Sequence, residues 1–336
     1  MKQLVCTTPH QLTYTEAAIP VPNVGETLLK IERIGICGTD LHAYEGTQPF
    51  FNYPAILGHE LAATIVETNA KGFEVGEAVT LIPYFNCGTC IACTAGKENC
   101  CVSIRVFGVH IHGGMREYVT VPDAALVKSR GLGLDQLALV EPLAIGAHGV
   151  RRTGVQPGEF VLVVGAGPIG LGTMEFARIA GAQVIAMDIN DARLAFCSQN
   201  LGVHHTINPI KEDAIQQLKT ITNGDMPTVI IDATGSLAAI QGAFPYLAHG
   251  GRYVLVGLQK GDISFSHPEF HKREATLMSS RNANKIDFDH VVDSMLAGHI
   301  SPTNYITHRV TFDQVADQFE SWLDPATGVI KAMISC

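Results

Sequence analysis

Basic residues are scarce in this sequence: 23 Lys and Arg stand against 32 Asp and Glu, for a formal net charge of −9 at pH 7. No Lys/Arg cluster relieves the deficit. This argues against duplex DNA or an anionic membrane as a partner, since both are bound through a basic surface that displaces counterions. Long apolar runs are also missing, and none approaches the ~18 residues of a membrane span. The opening residues, Met1-Lys2-Gln3-Leu4-Val5, lack the apolar stretch of a secretory signal. The expected location is therefore the cytoplasm. Charged residues make up only 16% of the chain, and no internal repeat or low-complexity tract stands out.

Apolar material is plentiful. At 336 residues and 46% hydrophobic, the chain can fill two cores and is not disordered. Up to about residue 127 it reads as short apolar or alternating runs (27–34, 62–68, 78–82, 115–121) broken by Gly, Pro and Asn, which is a strand-rich, irregular domain. From Phe160 the rhythm changes. Strand-like runs at 160–164, 183–189, 205–207, 228–233 and 252–256 alternate with helical segments following Pro168 and at 191–201, 211–220 and 237–247. Such alternation specifies an α/β fold with a parallel, doubly wound sheet. Two amphipathic helices, at 288–297 and 312–323, and a strand at 329–334 close the chain.

Nine cysteines in a reducing compartment are read as metal-binding, catalytic or packing thiols before disulfides. Four of them, Cys87, Cys90, Cys93 and Cys101, form Cys-x2-Cys-x2-Cys-x7-Cys in a polar Gly/Asn-rich loop. Thiolates at this spacing can converge on one Zn²⁺ and leave no position open, which makes the site structural. Cys100 offers an alternative fourth ligand. A second, mixed set comes from Cys37 in Gly35-Ile36-Cys37-Gly38-Thr39-Asp40-Leu41-His42, from His59 and Glu60 after Gly58, and from Glu141 before Pro142. A thiolate, an imidazole and a carboxylate hold zinc while leaving a coordination position for water or substrate.

Gly165, Gly167 and Gly170, with Pro168 and Ile169 between them, follow an apolar strand and open a helix. In that context Gly-x-Gly-x-x-Gly means dinucleotide binding, because the backbone can approach a pyrophosphate at a helix N-terminus. Asp188, eighteen residues past Gly170, is suited to the adenosine ribose hydroxyls. Its carboxylate would repel a 2′-phosphate, so NAD is the expected cofactor, although Arg193 could soften the repulsion.

These motifs stand in the order found in zinc-containing medium-chain dehydrogenases, the family of alcohol, sorbitol and threonine dehydrogenases, which the sequence resembles over nearly its whole length. The resemblance implies a GroES-like, β-rich catalytic domain (1–148 and 283–336) and an inserted Rossmann domain (149–282). It implies two Zn²⁺ per chain, one catalytic and one structural, with Cys101 as the fourth structural ligand, and a homo-oligomer, either dimer or tetramer. Glu60 and Glu141 resemble the sorbitol and threonine dehydrogenase side of the family, and which of them binds zinc is left open. Thr39 is placed to accept a hydrogen bond from a zinc-bound hydroxyl, and His42 to pass the proton on to solvent through the cofactor ribose. The run Ser279 to Lys285, with Gly108-Val109-His110, is similar to bacterial sugar-acid members. A polyol or aldonate pocket needs fixed polar groups and a cation for a carboxylate. His110, Asn282 and Asn284 suit the hydroxyls, and Arg281 or Lys285 the carboxylate. The expected substrate is therefore a small polyhydroxylated molecule with a secondary alcohol, with no role for nucleic acid or membrane.

Overall fold

The five apolar residues Phe160–Val164 form a strand whose last four side chains are buried, as a strand covered on both faces requires. A computed structural model, describing residues 1–48 and 51–336, places this strand near the middle of a six-stranded sheet. The order is His205–Ile207, Gln183–Met187, Phe160–Val164, Val229–Asp232, Arg252–Leu255 and Thr276–Ser279, and every pairing is parallel. The chain reverses its direction of travel across the sheet at Phe160–Val164, and ligands of such sheets bind beside that switch. The last strand is not foreshadowed in the sequence, because Thr276–Ser279 is largely exposed and carries no apolar alternation.

The chain divides into two compact units, Met1–Pro142 with Asn284–Cys336, and Leu143–Ala283. The first division falls inside the helix Val140–Thr153, six residues before the position expected from sequence. From Leu143 on, this helix packs on the helix Pro168–Ile179. A Cβ on Gly146 would lie 2.7 Å from the Thr173 nitrogen, and one on Gly172 would lie 2.9 Å from Leu143.

The first unit is built on a sheet ordered Ile306–Thr311, Lys331–Ser335, Glu26–Gly35, Glu60–Glu67, Ala78–Leu81 and Leu126–Lys128, with Tyr118–Pro122 also paired to Glu26–Gly35. Leu29, Ile31, Ile34, Leu61 and Ile65 are fully or almost fully buried beneath it. The pairing of Ile334 with Ile34 draws the C-terminal segment into this unit. An N-terminal hairpin, Lys2–Thr8 and Gln11–Glu16, leaves little trace in the sequence because polar residues interrupt it. The expected helix at 312–323 is instead a 3₁₀ turn, one short α turn and a second 3₁₀ stretch, with Phe312, Phe319 and Trp322 buried. No helix among the described residues is long and apolar enough to cross a membrane.

Candidate active site

The strand Glu26–Gly35 ends two residues before Cys37, which caps the helix Gly38–Tyr44. The backbone N–H of Cys37 donates to Asp40 Oδ2 at 2.9 Å, and that of Gly58 donates to Oδ1 of the same carboxylate at 3.0 Å. Asp40 is fully buried and joins the two segments that carry Cys37 and His59. His59 and Glu60 follow, also buried. Glu60 pairs in register with Gly35, where glycine is required: a Cβ there would lie 2.2 Å from Glu60 Oε2.

Ligand atoms of Cys37, His59 and Glu60 all lie within 4.8 Å of one another. Lys331, 2% exposed, reaches both carboxylate oxygens of Glu60 at 2.6 Å and donates to the Ile36 carbonyl at 3.0 Å. Glu141, at the head of the helix Val140–Thr153, is buried, and one of its oxygens accepts from the Tyr84 hydroxyl. Burial and the neighbouring Glu60 push the Glu141 carboxyl up to about 7 against the pull of His59, Tyr84 and Lys331. Burial opposes a charge on His59, yet Asp40, Cys37 and Glu141 hold its imidazole well above the usual value. His59 Nδ1 has no hydrogen-bond partner among the described residues and lies 3.8 Å from Asp40 Oδ1. A thiol, a carboxylate and an imidazole with one unpartnered buried nitrogen, converging within 4.8 Å, form a donor set that fits zinc.

Thr39 is half-buried in the first turn of Gly38–Tyr44. His42, on the same helix, is exposed, with Nδ1 3.2 Å from Glu45 Oε2 and 3.4 Å from Thr47 Oγ1.

The four cysteine sulfurs of Cys87, Cys90, Cys93 and Cys101 form a second cluster within 4.8 Å, and Cys101, not the exposed Cys100, completes it. Sulfur–sulfur distances of 3.5 Å separate Cys87 from Cys101 and Cys90 from Cys93. Backbone N–H groups of Thr89 and Cys90 bring the Cys87 thiol down to about 5, a thiolate suited to a metal.

In the second unit Gly165 adopts φ 101°, a conformation that favours glycine, and Gly167 caps the helix that Pro168 opens. A Cβ on Gly170 would lie 1.8 Å from the Gly165 carbonyl oxygen, so no side chain fits there. Asp188 is fixed across this turn, accepting from Ala166 N at 2.7 Å and Asn190 N at 2.8 Å. The Arg193 guanidinium comes within 4.0 Å of the Cβ position of Gly167.

The expected substrate groups have local partners. His110 Nδ1 accepts from Val106 N at 2.9 Å, and Asn284 Oδ1 accepts from Asn99 N at 3.1 Å while its own backbone N–H donates to Asp287. Lys285 pairs with Asp289 one helical turn on. Arg281 is exposed, and Asn282 takes a left-handed φ of 53°. Asp40, Tyr84 and Lys331 join the site without being singled out by the sequence. Asp40 lies inside the Gly35–His42 motif, where its position three residues after Cys37 is the available signal. Lys331, 271 positions from Glu60, gives none.

Two segments with a converging Cys/His/Glu donor set, a four-cysteine cluster and a glycine-rich strand–helix turn define a zinc-type, nucleotide-linked dehydrogenase. The chain belongs to the zinc-type medium-chain alcohol dehydrogenase family: residues 23–131 match the alcohol dehydrogenase GroES-like domain and residues 168–297 the zinc-binding dehydrogenase family. It is 43% identical to L-galactonate-5-dehydrogenase of Escherichia coli K12, over 100% of this chain and 99% of that protein. Among solved structures, an alcohol dehydrogenase from Escherichia coli CFT073 complexed with NADH superposes with a TM-score of 0.91 at 33% identity, covering 100% of this chain and 99% of the other. A protein from Sinorhizobium meliloti 1021 bound to NADP superposes equally well, with a TM-score of 0.91 at 27% identity and the same coverage.

Proposed function

We propose that the protein oxidises a secondary hydroxyl of a small sugar acid or sugar alcohol to the ketone, passing the hydride to NAD. The observation that carries this reading is the convergence of the half-buried Cys37 with the buried His59 and Glu60, on a chain similar along its whole length to an L-galactonate dehydrogenase. We assign one zinc to Cys37, His59 and a glutamate, and a second, structural zinc to Cys87, Cys90, Cys93 and Cys101. Zinc at the mixed site supplies Lewis-acid charge that favours loss of the hydroxyl proton near neutral pH.

The chain's own residues do the rest. Asp40 fixes the backbones that present Cys37 and His59, Lys331 neutralises Glu60, and Tyr84 holds Glu141. Thr39 accepts a hydrogen bond from the reacting hydroxyl and gives up its own proton as it takes the incoming one; the released proton passes by way of the cofactor ribose to His42, which, exposed beside Glu45 and Thr47, delivers it to solvent. The N–H groups of the turn at Gly165–Gly170 and the helix dipole behind them bind the pyrophosphate. Asp188 takes the ribose hydroxyls and disfavours a 2′-phosphate. At ~4 Å and an effective dielectric of ~20 the repulsion is on the order of 4 kcal/mol before screening, which the positive charge of Arg193 opposes.

Measuring kcat/KM for L-galactonate, L-gulonate, sorbitol, L-threonine and ethanol, each with NAD and with NADP, tests the assignment. The expected order puts a sugar acid or polyol first, with NAD preferred and ethanol poor. A preference for ethanol or L-threonine overturns the substrate class, and equal use of NADP overturns the role given to Asp188.

A further inference from the structure

The segment Ile56–Gly58, immediately before His59, is held from one side by the stretch His112–Met115. Gly113 N donates to the Ile56 carbonyl at 2.7 Å, Met115 N to Leu57 at 2.9 Å and Gly114 N to Gly58 at 2.8 Å. The two backbones approach so closely that a Cβ on Gly113 would lie 2.4 Å from the Gly58 oxygen. One side chain joins this clamp: the imidazole of His112 accepts the Ile56 N–H at Nδ1, 3.2 Å away, which puts its own proton on Nε2. Arg116 secures the clamp from behind, donating through Nε to the Gly113 carbonyl at 3.0 Å and through Nη2 to the His112 carbonyl at 3.5 Å. On its far side the same segment is tied by Gly58 N to Asp40, and through Asp40 to the Cys37 backbone.

We propose that His112 is a positioning residue for the mixed metal site, fixing through the Ile56 N–H the segment that aims the His59 imidazole. Its ring bonds to the backbone of that segment and acts on His59 through it. A residue that accepts the N–H at the start of a three-residue lead into a ligand adds a side-chain restraint on this side to the backbone bonds that set the ligand's direction, and a misplacement of an ångström at a reacting centre is felt strongly in rate. The position admits any side chain with an acceptor at the place of Nδ1, which Asn provides and Leu does not.

This inference rests on Cys37, His59 and Glu60 being the metal site, and the test separates the two. Wild type, His112→Leu and His112→Asn are prepared with cobalt replacing zinc, alongside Cys37→Ala. The Cys37-dependent thiolate absorption, taken as the difference from the Cys37→Ala spectrum, reports the mixed site, and release of cobalt to a chelator reports its hold on metal. Removing a group that orients a ligand costs about 10- to 100-fold in metal affinity or activity. The leucine variant is expected to show an altered thiolate band, cobalt release about tenfold faster and kcat about tenfold lower, with KM for NAD unchanged. The asparagine variant is expected to restore most of each. An unaltered band, release rate and kcat in His112→Leu overturn the positioning role. Absence of any Cys37-dependent band in wild type overturns the metal assignment instead. Should the leucine variant fail to fold, His112→Ala, which also lacks an acceptor, takes its place, with the same two outcomes.

Discussion

The ammonium of Lys331 sits 2.6 Å from each carboxylate oxygen of Glu60, in a pocket where Glu60 is fully buried. It comes from the last strand of the chain, paired against the strand that leads to Cys37, so closure of the first unit's sheet brings the counter-charge to the site. Burial opposes the charge on Lys331, and Glu60, Cys37 and Glu141 more than offset it, keeping the ammonium protonated.

Substituting Lys331 by Met leaves the Glu60 carboxylate buried without its cation. Breaking a buried pair by removing one partner costs roughly 3–5 kcal/mol. Urea unfolding followed by circular dichroism is expected to show a loss of that order, and Glu60→Gln in the Lys331→Met background to recover part of it. A loss below about 1 kcal/mol would mean that the pair does not carry the energy its burial implies.

Asp40 holds two N–H groups, one on each ligand-bearing segment. Asp40→Ala frees both and is expected to lower kcat and zinc retention about 10- to 100-fold, whereas Asp40→Asn, which keeps one acceptor oxygen, falls between. Steady-state rates alongside zinc content by elemental analysis check this ordering, and equal values for the two variants contradict it.

The Thr39 hydroxyl is assigned to proton movement and not to cofactor binding. Thr39→Val is therefore expected to lower kcat by about 10²-fold or more while the NAD dissociation constant, read by fluorescence titration, stays near the wild-type value. An unchanged kcat under conditions where hydride transfer limits the rate removes Thr39 from the mechanism.

Glu159 in the second unit carries a pH prediction. Burial raises its pKa, but the Gln156 N–H, the Thr228 hydroxyl and the Arg252 guanidinium outweigh this and hold the carboxyl below its ordinary value of 4.5. A depressed folded-state pKa gives stability that is present above the ordinary value and lost as pH falls through the folded one. Glu159→Gln should thus be less stable than wild type at neutral pH and show a flatter decline on acidification. A Tm–pH curve parallel to wild type through the acidic range rules this contribution out.

Much of this architecture is legible in the residues because the motifs are local. Gly165 to Gly170 specify a turn that tolerates no Cβ at Gly170, and the cysteine loop from Cys87 to Cys101 brings its four sulfurs together within one short stretch. Cys37 and His59 are readable as donors from residue type and motif. What cannot be read is what the sheet joins. Lys331 and Glu60 meet only because Lys331–Ser335 pairs beside Glu26–Gly35, and Tyr84 reaches Glu141 across 57 positions. The strand Gln11–Glu16 of the N-terminal hairpin and the strand Thr276–Ser279 escape notice because exposed strands carry weak hydrophobic alternation. Asn284 and Lys285, chosen from sequence as polar contacts for a substrate, have local partners in helix capping and an i, i+4 pair.

Cys37 and the four-cysteine loop are proposed to serve different zinc ions, one for chemistry and one for structure. This assignment is tested most directly by measuring zinc per chain and the NAD-dependent oxidation rate of L-galactonate in wild type and Cys37→Ala. Two zinc ions with turnover in wild type, and one zinc ion with a folded chain and no turnover in the variant, is the predicted result. A Cys37→Ala protein that keeps two zinc ions, or turns over at a rate close to wild type, would contradict it.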